Sequence, residues 1–381
     1  MILAGEGRTE LFLPRAALSR GPGRRAPVFY NPAMAGDRDL AVAFARALAP
    51  RTHEPRRGWE MTSATGVRGL RLLHETEAFG TFRFTEANPD AFRVLRENVA
   101  RFPGATAVEG DAREAVAGAP FDYVDLDPYG TPAPFLENAI RSVRPDGVLA
   151  VTATDMMVLA GAQPSACRER YGARPVRGRL GPEGGLRILL AYLARTAAGK
   201  GRSIRPLLAY SRDHYVRAYV EVRAGTPRSP PVEEVDPARW DGPRLGDRGP
   251  YGPLWLGPLF DRDLVGRLAV PPGAARAKEV ERFIGRLQDE VRADRPFYFE
   301  TNVLAAQLHL ASPPSLRSMS EGLSARGFSV ARTHARPEGF RTDAPRSEVE
   351  RLVRELSEAG ERVSPRTRGS EHTRVPPGGS R

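Results

Sequence analysis

The chain has 381 residues, 41% of them hydrophobic, with a formal net charge of +11. No apolar run approaches membrane-spanning length, and Met1 to Arg8 lacks the basic and apolar parts of a secretory leader, so a cytoplasmic protein is expected; at this length two domains are the default. A single cysteine, Cys167, excludes a disulfide framework and a cysteine-rich zinc cluster, and the excess of base over acid points to a polyanionic partner.

Residues 1–27 read as a short strand, Thr9 to Leu13, and a basic loop, Ser19 to Pro27, broken by Gly and Pro. Phe29 and Tyr30 then precede a turn at Pro32, and Leu40 to Leu48 is a helix with a continuous apolar face. From Gly58 short strands alternate with helices. The strands are Trp59 to Ala64, Phe79 to Thr85, Ala105 to Val108, Tyr123 to Leu126 and Val148 to Thr152; helices are Pro89 to Arg101, Pro134 to Val143 and Gly185 to Ala198. Ile204 to Tyr210 and Tyr215 to Val222 close the unit as an antiparallel pair. The class is α/β, a right-handed, mostly parallel sheet with helices on both faces.

Residues 226–253, rich in Pro, Gly and charge, read as a linker between a first domain at 1–225 and a second at 254–362. The second carries helices at Ala277 to Arg292, Ser315 to Arg326 and Ser347 to Ala359, a strand or helix at Phe297 to Leu310, and a strand at Ser329 to Arg332. That is a smaller α+β unit, compatible with a winged-helix-like element. Residues 363–381, dominated by Arg, Gly, Pro and Ser, are expected to be disordered.

Ligands of such sheets bind outside the carboxyl ends of the strands, and Arg68, Glu86, Asp111 and Asp127 each stand at or just after one. The first loop lacks GxGxxG, which argues against a pyrophosphate, yet Ser63, Ala64, Gly66 and Gly69 permit close backbone approach. Glu86 is placed to accept both hydroxyls of a ribose. Asp111 can accept from an adenine amine, with the Ala112 amide facing a ring nitrogen. Loop, ribose acid, adenine acid and a further acid arrive in the order of an S-adenosylmethionine site.

Asp127-Pro128-Tyr129 matches the acid-Pro-Pro-aromatic pattern of amine-methylating enzymes, with one proline. The lone pair of an exocyclic base amine is delocalised into the ring. An acceptor such as Asp127 raises electron density on that nitrogen and orients it for in-line attack, while Tyr129 stacks on the base. Asp125, one strand period earlier, reads as a supporting acid.

The segments Phe29–Pro32, Ser63–Gly69, Asp125–Gly130, His214–Arg217, Gly252–Gly257 and Gly339–Pro345 run in order along nearly the whole chain, and together they resemble the tRNA guanine-26 N2-dimethyltransferases of archaeal type. The resemblance implies a class I S-adenosylmethionine-dependent methyltransferase (Rossmann-like) domain plus a smaller α+β C-terminal domain that grips tRNA. It puts Arg38, Arg68, Glu86, Asp111 and Ala112 on cofactor-binding positions, Asp127 on the catalytic acid, and Phe29, Pro128 and Tyr129 where the target base is held. Some members carry a four-cysteine zinc site ahead of the Gly-Pro-Leu-Trp segment; this chain has Trp240, Asp241 and Pro243 there, so no metal is expected. The implied product is a guanine in tRNA methylated once or twice on N2 by a monomeric enzyme with no membrane partner. Adenine-N6 and ribosomal guanine methyltransferases share the Asp127 corner but lack the segments after residue 250. An RNA-binding protein with a vestigial site would have no need of Glu86, Asp111 and Asp127 together.

Overall fold

The computed structural model describes residues 1–15, 28–48, 55–115, 118–246 and 249–363; the loop expected at Ser19 to Pro27 and the tail from 364 lie outside them. An antiparallel hairpin, β1 (Ile2–Glu6) and β2 (Thr9–Leu13), opens the chain. Helix α1 (Ala35–Leu48) follows a turn capped by Asn31, whose side chain accepts from the Ala33 amide. The apolar pattern places the start of this helix at Leu40. It begins earlier because Asp37, Arg38 and Asp39 are buried against ion partners.

The central sheet comprises β3 (Arg56–Glu60), β4 (Phe79–Glu86), β5 (Ala105–Glu109), β6 (Phe121–Leu126), β7 (Val143–Ala153), β8 (Arg202–Arg212) and β9 (Tyr215–Ala224). Its order is β5-β4-β3-β6-β7-β9-β8, with β9 antiparallel to both neighbours and all other pairings parallel. Strand order reverses between β3 and β6, and an open sheet of this kind has its crevice at that switch point. The intervening helices are α2 (Val67–Glu75), α3 (Pro89–Val99), α4 (Leu136–Ser142), α5 (Met156–Leu159), α6 (Pro164–Tyr171) and α7 (Gly181–Ala198). Pro89 stands in the first turn of α3, and Asn88 caps it by accepting from the Asp90 and Ala91 amides at 2.9 and 3.3 Å. Strand β3 stops at Glu60, short of the expected Ala64. The Met61 amide still reaches the Asp125 carbonyl at 2.9 Å, and from Thr62 the backbone turns into the loop before α2.

Within the stretch expected as a linker, β10 (Val232–Val235) and β11 (Tyr251–Trp255) pair antiparallel. Helices α8 (Arg262–Gly266) and α9 (Ala277–Glu290) follow, and Asp39 of α1 accepts from the Ala275 and Arg276 amides ahead of α9. Leu254, Leu259, Leu287 and Phe297 belong to the same apolar core as the central sheet. A second core, built on Phe299, Leu304, Met319, Phe340 and Val349, belongs to β12 (Phe299–Glu300), α10 (Thr301–Gln307), α11 (Leu316–Ala325), β13 (Val330–Arg332), β14 (Gly339–Thr342) and α12 (Arg346–Val363). Its three strands pair antiparallel in the order β12-β14-β13.

Arg341 of β14 ties the two cores together. It is fully buried and donates to both Glu183 oxygens of α7 at 2.9 and 3.0 Å, to Glu290 of α9, and to the Phe297 carbonyl at 3.0 Å. Arg71, Arg187 and Arg217 are buried just as completely. Part of the arginine excess is therefore internal framework. No helix of the described residues is long and apolar enough to cross a membrane.

Candidate active site

The loop between β3 and α2 is held at every turn. The Ser63 amide donates to the Thr85 carbonyl at 3.0 Å, and the Ser63 hydroxyl bridges the Glu60 carbonyl and the Thr85 amide. Ala64 has a φ of 48°, a left-handed conformation that is strained for a residue with a Cβ, and its amide is fixed by Glu86 Oε2 at 2.7 Å. Gly66, at φ 76°, completes the turn; a Cβ there would stand 2.7 Å from Leu95. Asn98 of α3 donates to the Thr65 carbonyl at 3.0 Å and exchanges hydrogen bonds with Phe12 of β2, so the hairpin braces the loop from outside. In the first turn of α2 a Cβ on Gly69 would meet Phe84 at 2.5 Å, so helix and sheet approach as closely as a small-residue loop requires.

At the switch point Asp127 follows the end of β6. Its amide donates to Thr62 Oγ1 at 3.3 Å, and its Oδ2 accepts from Arg68 at 2.7 Å. About 25% of its side chain is open to solvent, and Oδ1 has no hydrogen-bond partner among the described residues. The other terminal nitrogen of Arg68 reaches Asp37 Oδ2 at 2.8 Å, and Tyr210 and Tyr215 donate their hydroxyls to Asp37 Oδ1 at 2.6 and 2.9 Å. Beneath lies Asp125, fully buried. It accepts from Tyr123 at 2.7 Å and from Arg217 at 2.6 Å, and it stands 4.0 Å from Arg68 Nε. Two arginines and three aspartates thus interlock under one exposed carboxylate oxygen.

The charges in this cluster shift their neighbours in opposite directions. Burial alone would raise the pKa of Asp37, but the Arg68 and Arg217 charges and the Tyr210 hydrogen bond outweigh it and hold the carboxyl well below its ordinary range. Arg68 is likewise held firmly protonated: burial and Arg217 oppose its charge, while Asp37, Asp127 and Asp125 together prevail. Glu60, fully enclosed under the loop, goes the other way. Burial first and the Asp125 charge second push it well above the usual carboxylate range, while its Oε2 accepts from the Gly69 amide at 3.3 Å.

Pro128 is buried and Tyr129, beside it, is 89% exposed; Phe29 is 48% exposed. Gly130 turns the chain at φ 87° and exchanges hydrogen bonds with Thr154 after β7. On the other side of the switch point, Glu86 at the end of β4 uses Oε2 on Ala64 and Oε1 on the Asn88 amide at 2.8 Å, which leaves lone pairs on both oxygens. Asp111, after β5, accepts from the Arg113 amide at 2.8 Å and is held by the Arg113 guanidinium. That hydrogen bonding and charge lower its pKa. Ala112 is buried, and its carbonyl accepts from Asn138 at 2.7 Å.

Arg68 and Asp127 are therefore brought together, and Glu86, Asp111 and Ala112 line the adjacent strand ends. Arg38 is engaged elsewhere. It forms an ion pair with Glu6, donates to the Asn31 carbonyl at 3.0 Å and lies over the Tyr30 ring. Asp37, Tyr210, Tyr215, Arg217 and Asn98, absent from the expected site, frame it. Only Tyr215 and Arg217 carried a signal, as members of the His214–Arg217 segment; Asp37 pairs with Tyr210 across 173 positions of sequence, which no local pattern exposes. Among the described residues no group of three or more His, Cys, Asp or Glu is placed to hold a metal ion.

Comparison with known proteins points one way. A family model described as N2,N2-dimethylguanosine tRNA methyltransferase matches residues 17–235 and 245–354. A tRNA (guanine(26)-N(2))-dimethyltransferase of Thermococcus kodakarensis is 34% identical over 388 residues, covering 93% of this chain and all of that protein. The Methanosarcina acetivorans enzyme of the same name is 33% identical, covering 92% of this chain and 98% of its own length. Among solved structures, Trm1 from Pyrococcus horikoshii in complex with S-adenosyl-L-methionine superposes with a TM-score of 0.80 at 30% identity, covering 93% of this chain and 100% of that one.

Proposed function

The chain belongs to the N2,N2-dimethylguanosine tRNA methyltransferase family, and we propose that Asp127 holds the exocyclic N2 amine of guanine 26 in tRNA while one or two methyl groups are transferred to it. The protein is an S-adenosylmethionine-dependent tRNA guanine N2-methyltransferase of class I fold with a smaller C-terminal unit. When bound, the cofactor supplies an electrophilic methyl group on a sulfonium.

The residues present fit that cofactor. The loop 62–66 is built of small side chains, with Ala64 and Gly66 in left-handed conformations that turn the main chain tightly into α2. Glu86 retains acceptor capacity for vicinal hydroxyls, and Asp111 with Ala112 offers an acceptor and a backbone amide to a purine edge. Arg68, at the bottom of the crevice, has its terminal nitrogens on Asp37 and Asp127, so an amino-acid carboxylate would share its guanidinium with them.

One observation carries the catalytic reading: Asp127 has one oxygen locked by Arg68 and the other without a partner among the described residues, beside an exposed aromatic ring. A carboxylate fixed in this way cannot rotate away from an incoming amine. Its open oxygen accepts one N–H, raises electron density on nitrogen and fixes the direction of attack. As the N–C bond forms and the sulfonium S–C bond breaks, the nitrogen's proton passes to that oxygen, which returns it to solvent before another round. Tyr129 and Phe29 are exposed rings on which a flipped base can stack, and buried Pro128 stiffens the corner that carries Tyr129. After a first transfer the amine keeps one hydrogen, which the same oxygen can accept, so a second round needs no new residue.

The test is to incubate the protein with unmodified tRNA transcript and labelled S-adenosylmethionine, then identify the labelled nucleosides and their position. Mono- and dimethylguanosine at position 26 are expected; label in adenosine, or none, overturns the reading.

A further inference from the structure

Buried ion pairs consume many of the arginines, so those left without acids identify where an anion would bind. A groove at the junction of the two cores gathers four: Arg177 and Arg179 from the loop ahead of α7, Arg244 ahead of β11, and Arg346 at the start of α12. Two of the four have their backbones pinned. Tyr298 donates to the Arg179 carbonyl at 2.8 Å, and the Arg346 amide reaches the Asp241 carbonyl at 3.2 Å. Arg346 itself donates to the Gly242 carbonyl at 2.6 Å and the Trp240 carbonyl at 3.1 Å, which locks the 240–244 loop onto α12. Arg179 is paired with Glu300, and Glu350 also lines the wall, so two carboxylates oppose four guanidinia. Arg177 and Arg244 are exposed and have no acidic partner among the described residues. Burial first, then the neighbouring Arg244 charge, lower the pKa of Arg346 against the opposing pull of Glu350 and Asp241.

We propose that this groove holds a phosphodiester of the substrate RNA backbone, gripped by Arg177 and Arg244. The assignment rests on the reading above that the substrate is tRNA. Forked guanidinia on a preorganised frame suit phosphate oxygens, and the apolar floor at Leu180 and Phe299 suits the sugar edge. The groove also communicates with the base corner. Gly161 packs so closely on the Arg177 stem that a Cβ would stand 2.6 Å from it. The stretch from Thr154 to Arg177 begins on Gly130 and is tied back through Tyr171, whose hydroxyl contacts Thr131 at 2.8 Å and Asp155 at 2.9 Å. A strand that inserts a base beside Tyr129 therefore has a phosphate anchor at the other end of one braced segment.

The experiment measures tRNA binding against salt concentration for the wild type, for Arg177→Ala/Arg244→Ala, and for Arg93→Ala/Arg141→Ala. The last pair removes the same charge from exposed positions on α3 and α4. Loss of both guanidinium contacts to that phosphodiester should weaken binding by roughly tenfold and lower the slope of log affinity against log salt by about one. S-adenosylmethionine affinity should not move. If the wild type methylates guanine in tRNA but the groove variant keeps the wild-type affinity and slope, the groove assignment fails. It fails equally if the α3/α4 variant loses as much. A wild type that does not methylate tRNA overturns the underlying reading instead.

Discussion

Arg68 meets Asp127 across 2.7 Å, from the first turn of α2 to the end of β6. Its second terminal nitrogen rests on Asp37, so the guanidinium cannot follow the carboxylate, and the carboxylate cannot leave without breaking a charge-assisted hydrogen bond. The open oxygen of Asp127 is thereby held in one place, and the substitutions that test its role follow from that geometry.

Asp127→Asn should be nearly as damaging as Asp127→Ala. The amide would turn its oxygen to Arg68, leaving its NH2 group to face the substrate amine, donor against donor. Single-turnover methylation of tRNA should fall by about 10²- to 10⁴-fold in both variants, with cofactor affinity within a few-fold of wild type. Near-normal turnover by the Asn variant would remove Asp127 from the reaction.

Arg68→Lys keeps the charge but not the fork. One ammonium cannot span Asp37 and Asp127 in the same geometry, so Asp127 gains a rotation. The rate should drop by roughly 10- to 100-fold, the worth of one hydrogen bond to a charged group. Thermal stability should suffer much less than in Arg68→Met, which leaves Asp37 and Asp125 facing each other across a buried gap at a cost of about 3–5 kcal/mol. Equal melting temperatures for the two variants would show that Arg68 does not neutralise this cluster.

The residues legible in the sequence are those that sit at strand ends. Glu86, Asp111 and Asp127 could be read because a strand followed by a turn places its last polar residue at the crevice whatever the rest of the chain does; Arg68, in the first turn of α2, could be read from the loop that leads into it. Of their supports, Asp125 could be read from its place one strand period earlier and Tyr215 and Arg217 from the His214–Arg217 segment; the others could not. Asp37 looked like a charged residue before a helix, and its burial depends on Arg68 and on two tyrosines contributed by β8 and β9. Arg38 shows the converse: its position fits a cofactor-binding arginine, yet Glu6, from a strand that local alternation did not expose, engages it. Glu60 falls inside a predicted strand, and nothing local shows that burial, with Asp125 beside it across the parallel β3–β6 pairing, holds its proton.

Glu60→Gln should stabilise the protein at neutral pH. The folded carboxyl titrates well above its ordinary 4.5, so once pH passes that value the unfolded chain releases a proton that the folded chain keeps. Stability is therefore lost as pH rises from about 4.5 toward the folded value. Glutamine has no proton to exchange and can still accept from the Gly69 amide. Its melting temperature should exceed that of wild type at pH 8, and the gap should close by pH 4. An advantage that is the same at both pH values would mean that the two carboxyls titrate alike.

Arg341→Met should loosen the small C-terminal core from the sheet. It strands Glu183 and Glu290 in a space without solvent, leaving the first with Arg187 and the second with His334 and Thr333. A loss of about 3–5 kcal/mol is expected, read as a lower urea midpoint and earlier proteolytic cleavage between residues 290 and 300. Unaltered denaturation would show that the apolar contacts alone join the two units.

Tyr129 separates function from folding most cleanly, because a ring 89% exposed supports no core. Tyr129→Ala should leave the melting temperature where it was. On the proposed reading it removes one face of the base sandwich, and stacking of a base on an aromatic ring is worth about 1–3 kcal/mol. The specificity constant for tRNA should then fall by roughly 5- to 150-fold. Tyr129→Phe keeps the ring and lacks only the hydroxyl, for which the described residues offer no hydrogen-bond partner. It should therefore retain most of the activity. If Phe is as poor as Ala, the hydroxyl rather than the ring face acts on the substrate; if Ala matches wild type, the base is held elsewhere and Phe29 becomes the ring to test.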